Sequence, residues 1–355
     1  MKSFNSYNDA LKFITDKKSL GIMPGLDRII NLLNSYSNPQ NDFKIIHVAG
    51  TNGKGTVAAT IAKALEKNGF KTGLFTSPCV TDYREQIQIN GEFISEAEFI
   101  KLAELVKSSA LPCTEFEAVT FMAYKYFSDM KADYAVIECG MGGKGDSTNV
   151  EKENLSVITS ISLDHTDFFG SSLSDIAEEK AGILRKNSDC IIYSDSLKDI
   201  FEPKCKNLII SPENTNLSLV NTVLNYLNIE PVSELVRLPA RQELLNGVLF
   251  DGGHNVAAAK ALAPLLDNEN AVIAMLKDKD VEGYLSLVAP KCKKITVTQS
   301  NNARSMPAKE LAKIAKKYCN EVCVIENPLE AVKQDGISLV CGSFYLMREV
   351  RKYFL

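Results

Sequence analysis

The chain has 355 residues, of which 45% are hydrophobic and 24% charged, the composition of an ordinary globular protein with about two domains. A net charge of -4, with basic residues spread along the chain, argues against nucleic acid as a partner. Nine cysteines without paired spacing, and no apolar leader or run of about 18 apolar residues, predict reduced thiols, a cytoplasmic location and no membrane contact. We expect a monomer.

Strands and helices alternate along the first two thirds of the chain. Hydrophobic periodicity and turn residues predict helices at 6–17, 27–36, 56–68, 96–108, 116–130 and 173–184, and strands at 44–48, 72–76, 87–90, 134–138 and 155–161. Polar or glycine-rich segments follow the ends of several of these strands. This pattern is typical of a parallel α/β sheet with its site at the carboxyl edge.

The alternation restarts after Pro239. It predicts strands at 247–250, 271–275, 294–298, 321–325 and 338–341, and helices at 257–266, 281–288, 308–318 and 344–355. We therefore expect two domains, 1–238 and a smaller α/β unit at 239–355.

A glycine-rich segment lies between the first predicted strand and the helix that follows it. Its residues are Gly50, Thr51, Asn52, Gly53, Lys54, Gly55 and Thr56. Glycines allow successive backbone N–H groups to face one anion, and a helix N-terminus favours negative charge. Lys54 adds a charge for the terminal phosphates, and Thr56 a hydroxyl near a metal. A plain glycine-rich turn is the alternative, but both flanking elements favour phosphate binding.

At these residues the chain resembles the Mur ligase superfamily, and more closely its folate branch, where a GTNGKG[ST] loop is typical. The resemblance extends over nearly the whole chain. It implies a P-loop, parallel-sheet ATPase domain followed by a smaller Rossmann-like α/β domain. ATP is then the expected nucleotide.

Two predicted strands end in residues that can bind a metal. Glu138 ends one, and Asp164-His165 follows another. A carboxylate and an imidazole there can hold Mg²⁺, although His165 taken alone fits a turn residue better. The resemblance implies that Ser77, Glu138 and His165 are magnesium ligands.

Lys180 falls on the apolar stripe of the predicted helix 173–184. An ammonium group on that stripe is costly unless it reaches solvent, pairs with an acid or is chemically altered. The surrounding sequence resembles the family's EKAGI segment, whose lysine is carbamylated. The resemblance therefore implies a carbamate on Lys180 that binds a second Mg²⁺ beside His165.

The second predicted domain supplies further nucleotide contacts by resemblance. Arg241 stands in a segment similar to the family's PGR linker, with Ala240 in the glycine position. Asp251 and His254 stand in a segment similar to DGAHN, although Asp251 also suits a helix cap. Asn221 is the expected match to an adenine-contacting asparagine.

Three segments resemble the parts of the family that line the pteroate pocket. We expect substrate contacts from Gly25, Leu26, Asp27, Arg28, Thr114, Glu115, Phe116, Glu117, Gly145, Asp146 and Ser147. An aromatic ring can stack on a pterin, and a carboxylate can pair with its amino edge. By themselves, Thr114 and Glu117 also form a capping box.

The resemblance implies an ATP-dependent ligase that joins L-glutamate to a folate or to dihydropteroate through an acyl phosphate. The catalytic residues would be Lys54, His165, Lys180 and Arg241, with two magnesium ions. Two alternatives stay open, a Mur-type ligase acting on another carboxylate and a nucleotide-binding regulator without ligase chemistry.

Overall fold

The computed structural model describes residues 3–21, 23, 25–164 and 166–355, and it separates into two compact units. The first unit comprises Met1–Cys79, Tyr83–Ile161 and Ser172–Val236. The second comprises Val80–Asp82, Ser162–Ser171 and Arg237–Leu355. In the described parts of the chain, every helix is too short or too polar to cross a bilayer.

The first unit is built on an eight-stranded sheet. Its strands are β1 (Lys44–Ala49), β2 (Thr72–Phe75), β3 (Ile87–Ile89), β4 (Glu92–Phe93), β5 (Tyr134–Glu138), β6 (Leu155–Ile158), β7 (Cys190–Ile192) and β8 (Leu208–Ile210). They lie in the order β4-β3-β2-β5-β1-β6-β7-β8. Strands β2, β5, β1, β6, β7 and β8 are parallel, so their carboxyl ends share one edge.

Helices connect these strands. The α-helices up to residue 236 are α1 (Tyr7–Thr15), α2 (Asp27–Asn34), α3 (Lys54–Lys67), α4 (Glu96–Ser108), α5 (Glu115–Asp129), α6 (Thr166–Phe169, in the second unit), α7 (Leu173–Lys180), α8 (Lys198–Phe201) and α9 (Asn216–Tyr226). Side-chain caps fix several helix starts, because hydroxyl oxygens accept the first free N–H groups. The predicted capping box of α5 is confirmed: Glu117 N–H donates to Thr114 Oγ1 at 3.3 Å, and Thr114 N–H to the Glu117 carboxylate at 2.7 Å.

The second unit is built on a six-stranded sheet in the order β13-β12-β11-β14-β10-β9. Its strands are β9 (Glu243–Leu245), β10 (Val248–Asp251), β11 (Glu269–Ile273), β12 (Cys292–Val297), β13 (Val322–Val324) and β14 (Leu339–Cys341). Its remaining helices are α10 (Val256–Leu262), α11 (Val281–Val288), α12 (Ala308–Ala315), α13 (Pro328–Ala331) and α14 (Phe344–Val350). All pairs are parallel except β9 with β10.

Short 3-10 helices extend or join these elements. They are Asp16–Leu20, Pro39–Asn41, Tyr83–Gln86, Ala181–Ile183, Asp195–Leu197, Glu202–Lys204, Ala263–Leu265, Ala289–Lys291 and Arg351–Phe354. The one at Ala181–Ile183 shortens the predicted helix 173–184, which ends as an α-helix at Lys180.

The predicted fold class is confirmed, with α/β alternation in both units. The predicted strand 134–138 and helices 96–108 and 281–288 agree to the residue. Strands β7 and β8, of three residues each, were not predicted.

Candidate active site

The glycine-rich loop joins β1 to α3, as the sequence predicts. Gly53 caps the helix at φ 86°, and Lys54 is already its first residue, so the predicted start at Thr56 is two residues late. Gly50 has φ 144°, and a Cβ there would lie 1.8 Å from Thr159 Oγ1, so the position excludes side chains. The backbone just after β6 holds the loop, since Thr51 N–H donates to Ser160 O at 2.8 Å.

The half-buried Lys54 folds back over this loop. Its Nζ donates to the carbonyl oxygen of Thr51 at 3.2 Å. The loop thus carries a helix N-terminus and an ammonium group at the carboxyl edge of the sheet, the features that bind phosphate.

A buried carboxylate lies on the neighbouring strand. Glu138 ends β5, pairs in register with Val48 of β1 and is 2% exposed. Ser77, just after β2, donates its N–H to Glu138 Oε2 at 2.9 Å. Two of the predicted metal ligands are therefore brought together, beside the strand that leads into the phosphate loop.

The predicted metal site draws on few of the side chains that usually bind metals. Among the described residues, no cluster of three His, Cys, Asp or Glu side chains is arranged to hold a metal. The predicted set has only Glu138 of these types within the described residues, and His165 lies outside them. The Glu138 carboxylate and the Ser77 and Thr56 hydroxyls are oxygen donors, the kind of ligand that Mg²⁺ prefers.

Lys180 is the last residue of α7 and is 6% exposed. Ile176 and Ala177 are buried on the same helix, which confirms that Lys180 lies on its apolar side. Leu173 is apolar but 46% exposed, because it starts the helix at the surface. A Cβ on Gly143 would meet the Lys180 backbone at 2.9 Å, so α7 packs directly against the segment after β5.

Two of the predicted substrate segments meet through an ion pair. Arg28 Nη2 lies 3.0 Å from Glu117 Oε1, and Arg28 Nε donates to Glu117 Oε2 at 3.2 Å. Arg28 also donates to the carbonyl of Gly25 at 3.4 Å. The Glu117 carboxylate is thereby committed to protein groups rather than open to a ligand. Leu26 and Asp27 begin α2 beside this pair.

The neighbours of Glu117 pack differently. Glu115 accepts a hydrogen bond from Tyr83 Oη at 2.9 Å and pairs with Lys18 Nζ at 3.3 Å. Phe116 is partly buried, and its ring would lie 2.4 Å from a Cβ on Gly140. Phe116 therefore lies against the segment that follows β5.

The third predicted substrate segment is held by its own carboxylate. Asp146 is 5% exposed and accepts from Met141 N–H at 2.8 Å and from Thr148 N–H at 2.9 Å. Ser147 is buried and lies 3.4 Å from Thr120 Oγ1. Gly145 has open space where a Cβ would be. Within this segment Asp146 shapes the loop.

In the second unit, an aromatic ring organises the predicted nucleotide residues. Arg241 Cζ lies 4.8 Å from the ring centre of Phe344, and the His254 ring is 6.2 Å from it. A Cβ on Gly252 would reach the same ring at 2.5 Å. Sequence reasoning missed Phe344, since its only signal is a position at the start of a helix.

Asp251 is not the cap of α10, so that alternative is wrong. The cap is Asn255, whose side chain accepts from Ala258 N–H at 2.8 Å. Asp251 is 8% exposed, and burial raises its pKa to about 6 although Gly253 N–H and Arg241 act in the opposite direction. A buried carboxylate with a raised pKa is typical of functional sites.

Asn221 does not present its amide to a ligand. It donates to Val232 O at 3.0 Å and accepts from Val232 N–H at 2.9 Å. Five residues earlier, the Asn216 amide lies against the phosphate loop, 2.6 Å from where a Gly53 Cβ would be. The amide beside the loop is therefore that of Asn216, which the sequence interpretation missed because both asparagines fit the same helix.

Ala240 occupies the position where the linker motif has glycine. Its φ is 56°, and its side chain is fully buried. The backbone thus keeps the left-handed conformation that glycine adopts most easily.

Comparison with family models gives two matches in sequence order. Residues 48–228 match the Mur ligase middle domain, and residues 237–344 match the Mur ligase, glutamate ligase domain. The first match alone spans about half of the chain. The class of protein is therefore that of the Mur-type ligases.

Individual relatives narrow this class. The chain is 30% identical to a probable dihydrofolate synthetase from Schizosaccharomyces pombe, over 94% of this chain and 98% of that protein. It is 29% identical to a dihydrofolate synthase/folylpolyglutamate synthase from Bacillus subtilis, over 98% and 99%. The bifunctional folylpolyglutamate synthase/dihydrofolate synthase from Yersinia pestis, solved with AMPPNP and a manganese ion, matches with a TM-score of 0.88, 25% identity and 99% coverage of both chains. The chain therefore belongs to the folylpolyglutamate and dihydrofolate synthase family of Mur ligases, and it is an ATP-dependent ligase.

Proposed function

We propose that this ligase joins L-glutamate to the carboxylate of a pterin substrate, either dihydropteroate or a reduced folate. The observation that carries the proposal is the convergence of the phosphate loop and the Ser77–Glu138 pair at one edge of the larger sheet. The relatives named above supply the substrate class.

The reaction proceeds in two displacements. A substrate carboxylate oxygen attacks the γ-phosphorus of ATP, and the bond to the β-phosphate oxygen breaks, giving an acyl phosphate and ADP. The glutamate amine then attacks the acyl carbon, loses a proton, and inorganic phosphate leaves. Both steps spread negative charge over phosphoryl or carbonyl oxygens, so positioned cations and N–H groups accelerate them.

Lys54 and the N-terminus of α3 face that charge in the first unit. The proposed second-unit contacts are Arg241, Asp251 and His254. The guanidinium of Arg241, stacked on Phe344, suits a transferring phosphoryl group because it forms a planar fork of donors. Asn216 replaces Asn221 in the proposed nucleotide site, because its amide lies beside the phosphate loop.

Glu138, Ser77 and Thr56 are the described residues proposed to hold Mg²⁺, which would supply charge neutralisation at the phosphates when bound. His165 is proposed as a further ligand.

We propose that Lys180 is carbamylated. Its neutral amine would add to CO₂ and lose a proton, which replaces a buried ammonium with a carboxylate-like group. Burial of Lys180 at the end of α7 supports this proposal. Intact-mass measurement after equilibration with bicarbonate and Mg²⁺ tests it, and a plain amine under those conditions would contradict it.

The test of the whole function is ADP release with each pterin in turn. Dihydropteroate and tetrahydrofolate are each supplied with L-glutamate and ATP, and the product is identified by mass. We expect glutamate addition to at least one of them. If neither responds while another carboxylate does, the substrate assignment is wrong although the ligase class stands.

A further inference from the structure

A buried histidine that the proposed reaction does not use lies on the central strand. His47 is the fourth residue of β1, its side chain is fully buried, and Gly50 follows three residues later. Its ring has polar neighbours at both nitrogens. These neighbours all belong to the segment between β5 and β6.

The distances define the proton count on this ring. Nδ1 lies 2.5 Å from Glu151 Oε1, and Nε2 lies 2.9 Å from Thr148 Oγ1 and 3.1 Å from Cys139 Sγ. The Thr148 hydroxyl has one hydrogen, which it donates to Asp146 Oδ1 at 2.5 Å. Thr148 Oγ1 can therefore only accept from His47, so a hydrogen bond between them requires a hydrogen on Nε2.

The other nitrogen is constrained by Glu151. This carboxylate accepts from Asn154 Nδ2 at 2.6 Å and from Val150 N–H at 3.0 Å, which identifies it as an ionised acceptor. Nδ1 therefore carries a hydrogen too. An imidazole protonated at both nitrogens is a cation, and this one is buried in an ion pair.

The charges around the ring agree with that assignment. Burial alone would lower the pKa of His47, but its interactions with Cys139 and Glu151 raise it well above 6.5. Burial acts to raise the pKa of Glu151, and His47 outweighs it and lowers that pKa. The other polar groups facing the pair are Arg185, whose Nη2 is 4.0 Å from Glu151 Oε1, and the hydroxyl of Tyr124, which donates to Thr148 O.

The network continues into the loop that carries three predicted substrate residues. His47 supports Thr148, Thr148 supports Asp146, and Asp146 holds the N–H of Met141 at 2.8 Å. The segment from Met141 to Thr148 is thereby tied through side chains to the strand that leads into the phosphate loop.

We infer that His47 is a positioning residue of this ligase, which as a permanent imidazolium fixes the segment from Met141 to Thr148 and so sets the geometry of the pterin contacts. The inference rests on the proposed function for the identity of the ligand. The position and the proton count of His47 do not depend on it.

The proton count is tested on the unaltered enzyme by NMR of protein labelled with ¹⁵N-histidine. The chain has three histidines, so single substitutions at His165 and His254 assign the signals of His47 by elimination. We expect both ring nitrogens of His47 to carry protons at pH 8. A neutral tautomer at that pH would overturn the inference.

The positioning role is tested with His47→Gln, which removes the charge but keeps a polar side chain. Ile46→Val, a buried neighbour on the same strand, is the control. We expect hydrogen exchange at residues 141–148 to accelerate at least tenfold in the variant, while the phosphate loop changes less than twofold. KM for the pterin should rise at least tenfold, with KM for ATP within twofold.

Equal acceleration in both segments, or no change in either, would show that His47 only stabilises the fold. If His47→Gln does not fold, Glu151→Gln removes the other charge and takes the same measurements. An unaltered enzyme that uses no pterin would refute the proposed function, while exchange at 141–148 still decides the role of His47.

Discussion

Two loops leave adjacent strands at the same edge of the larger sheet and are held in place in different ways. The phosphate loop after β1 is held by backbone hydrogen bonds and by glycines that admit no side chain. The segment after β5 is held by side chains from distant parts of the sequence, among them His47 and Arg185. Backbone support can be read from a short motif, whereas side-chain support is visible only once the chain has folded.

The largest expected effect concerns the catalytic charge on the backbone-held loop. Lys54→Met removes an ammonium group that donates to the Thr51 carbonyl of the same loop. We expect kcat/KM for ATP to fall by about 10²–10³-fold, the usual cost of losing one positioned charge in a transition state. The melting temperature should stay unchanged.

Lys63→Met is the matched control for Lys54. Lys63 lies on the same helix and pairs with Glu66 near the surface, at 2.7 Å. In steady-state assays, Lys63→Met should therefore keep the activity of the unaltered enzyme, whereas Lys54→Met should lose most of it. Activity of Lys54→Met within fivefold of the unaltered enzyme would remove the phosphate loop from the proposed mechanism.

The next effect should appear in stability, on the side-chain-held loop. Arg185 donates to the carbonyls of Glu151 at 2.9 Å and Ile183 at 3.0 Å, and to Asn149 Oδ1 at 2.7 Å. Arg185→Met leaves these acceptors without the cation, so the free energy of unfolding should fall by about 2–4 kcal/mol. Urea denaturation measures it, and the exposed Lys186→Met is the control. A loss equal to that of Lys186→Met would mean that the backbone alone supports this loop.

In the second unit, we expect substitution of Asp251 to change stability and nucleotide binding in opposite directions. Asp251 is buried with its pKa raised to about 6, against 3.8 for a free side chain. The folded state therefore binds the proton more tightly than the unfolded state does. The resulting contribution to the free energy of unfolding is fully present below pH 3.8 and is lost as the pH rises through about 6. Asp251→Asn removes the buried charge. At pH 8 it should raise the free energy of unfolding by about 1–3 kcal/mol, since each pKa unit corresponds to about 1.4 kcal/mol.

Nucleotide affinity should move in the opposite direction for this variant. We expect ATP binding to weaken about tenfold, as measured by calorimetry at pH 8, while the stability gain disappears at pH 4. A variant less stable than the unaltered protein at pH 8 would show that hydrogen bonds to the carboxylate, such as that from Gly253 N–H at 2.7 Å, outweigh its desolvation.

The fold was predictable from the sequence for most of the longer elements. Strand 134–138 is a continuous apolar run that ends in an acid, and its limits agree with β5. Strands β7 and β8 were not predicted. β7 pairs in parallel with β6, and β8 with β7, so their place in the sheet comes from tertiary interactions.

The residues of the candidate site were likewise predictable from the sequence only in part. The loop glycines are recognisable in the sequence because the backbone conformation of the loop requires glycine at those positions. Glu117, an expected substrate contact, forms an ion pair with Arg28, 89 residues away, and no local pattern indicated that pair. His47 gave no signal, since its partners come 92 to 104 residues later in the chain.

The smallest expected effects separate two asparagines on one helix. Asn216 lies against the phosphate loop, whereas Asn221 is bonded twice to the backbone of Val232. Asn216→Ala should raise KM for ATP about fivefold to tenfold with little change in stability. Asn221→Ala should leave KM unchanged and lower the free energy of unfolding by about 1–2 kcal/mol, because it orphans two backbone groups. ATP titrations give KM, and urea denaturation gives the free energy of unfolding, for each of the two variants. The reverse pattern, with KM altered by Asn221→Ala, would restore the original interpretation of this helix and would place the nucleotide nearer to its centre than to its first turn.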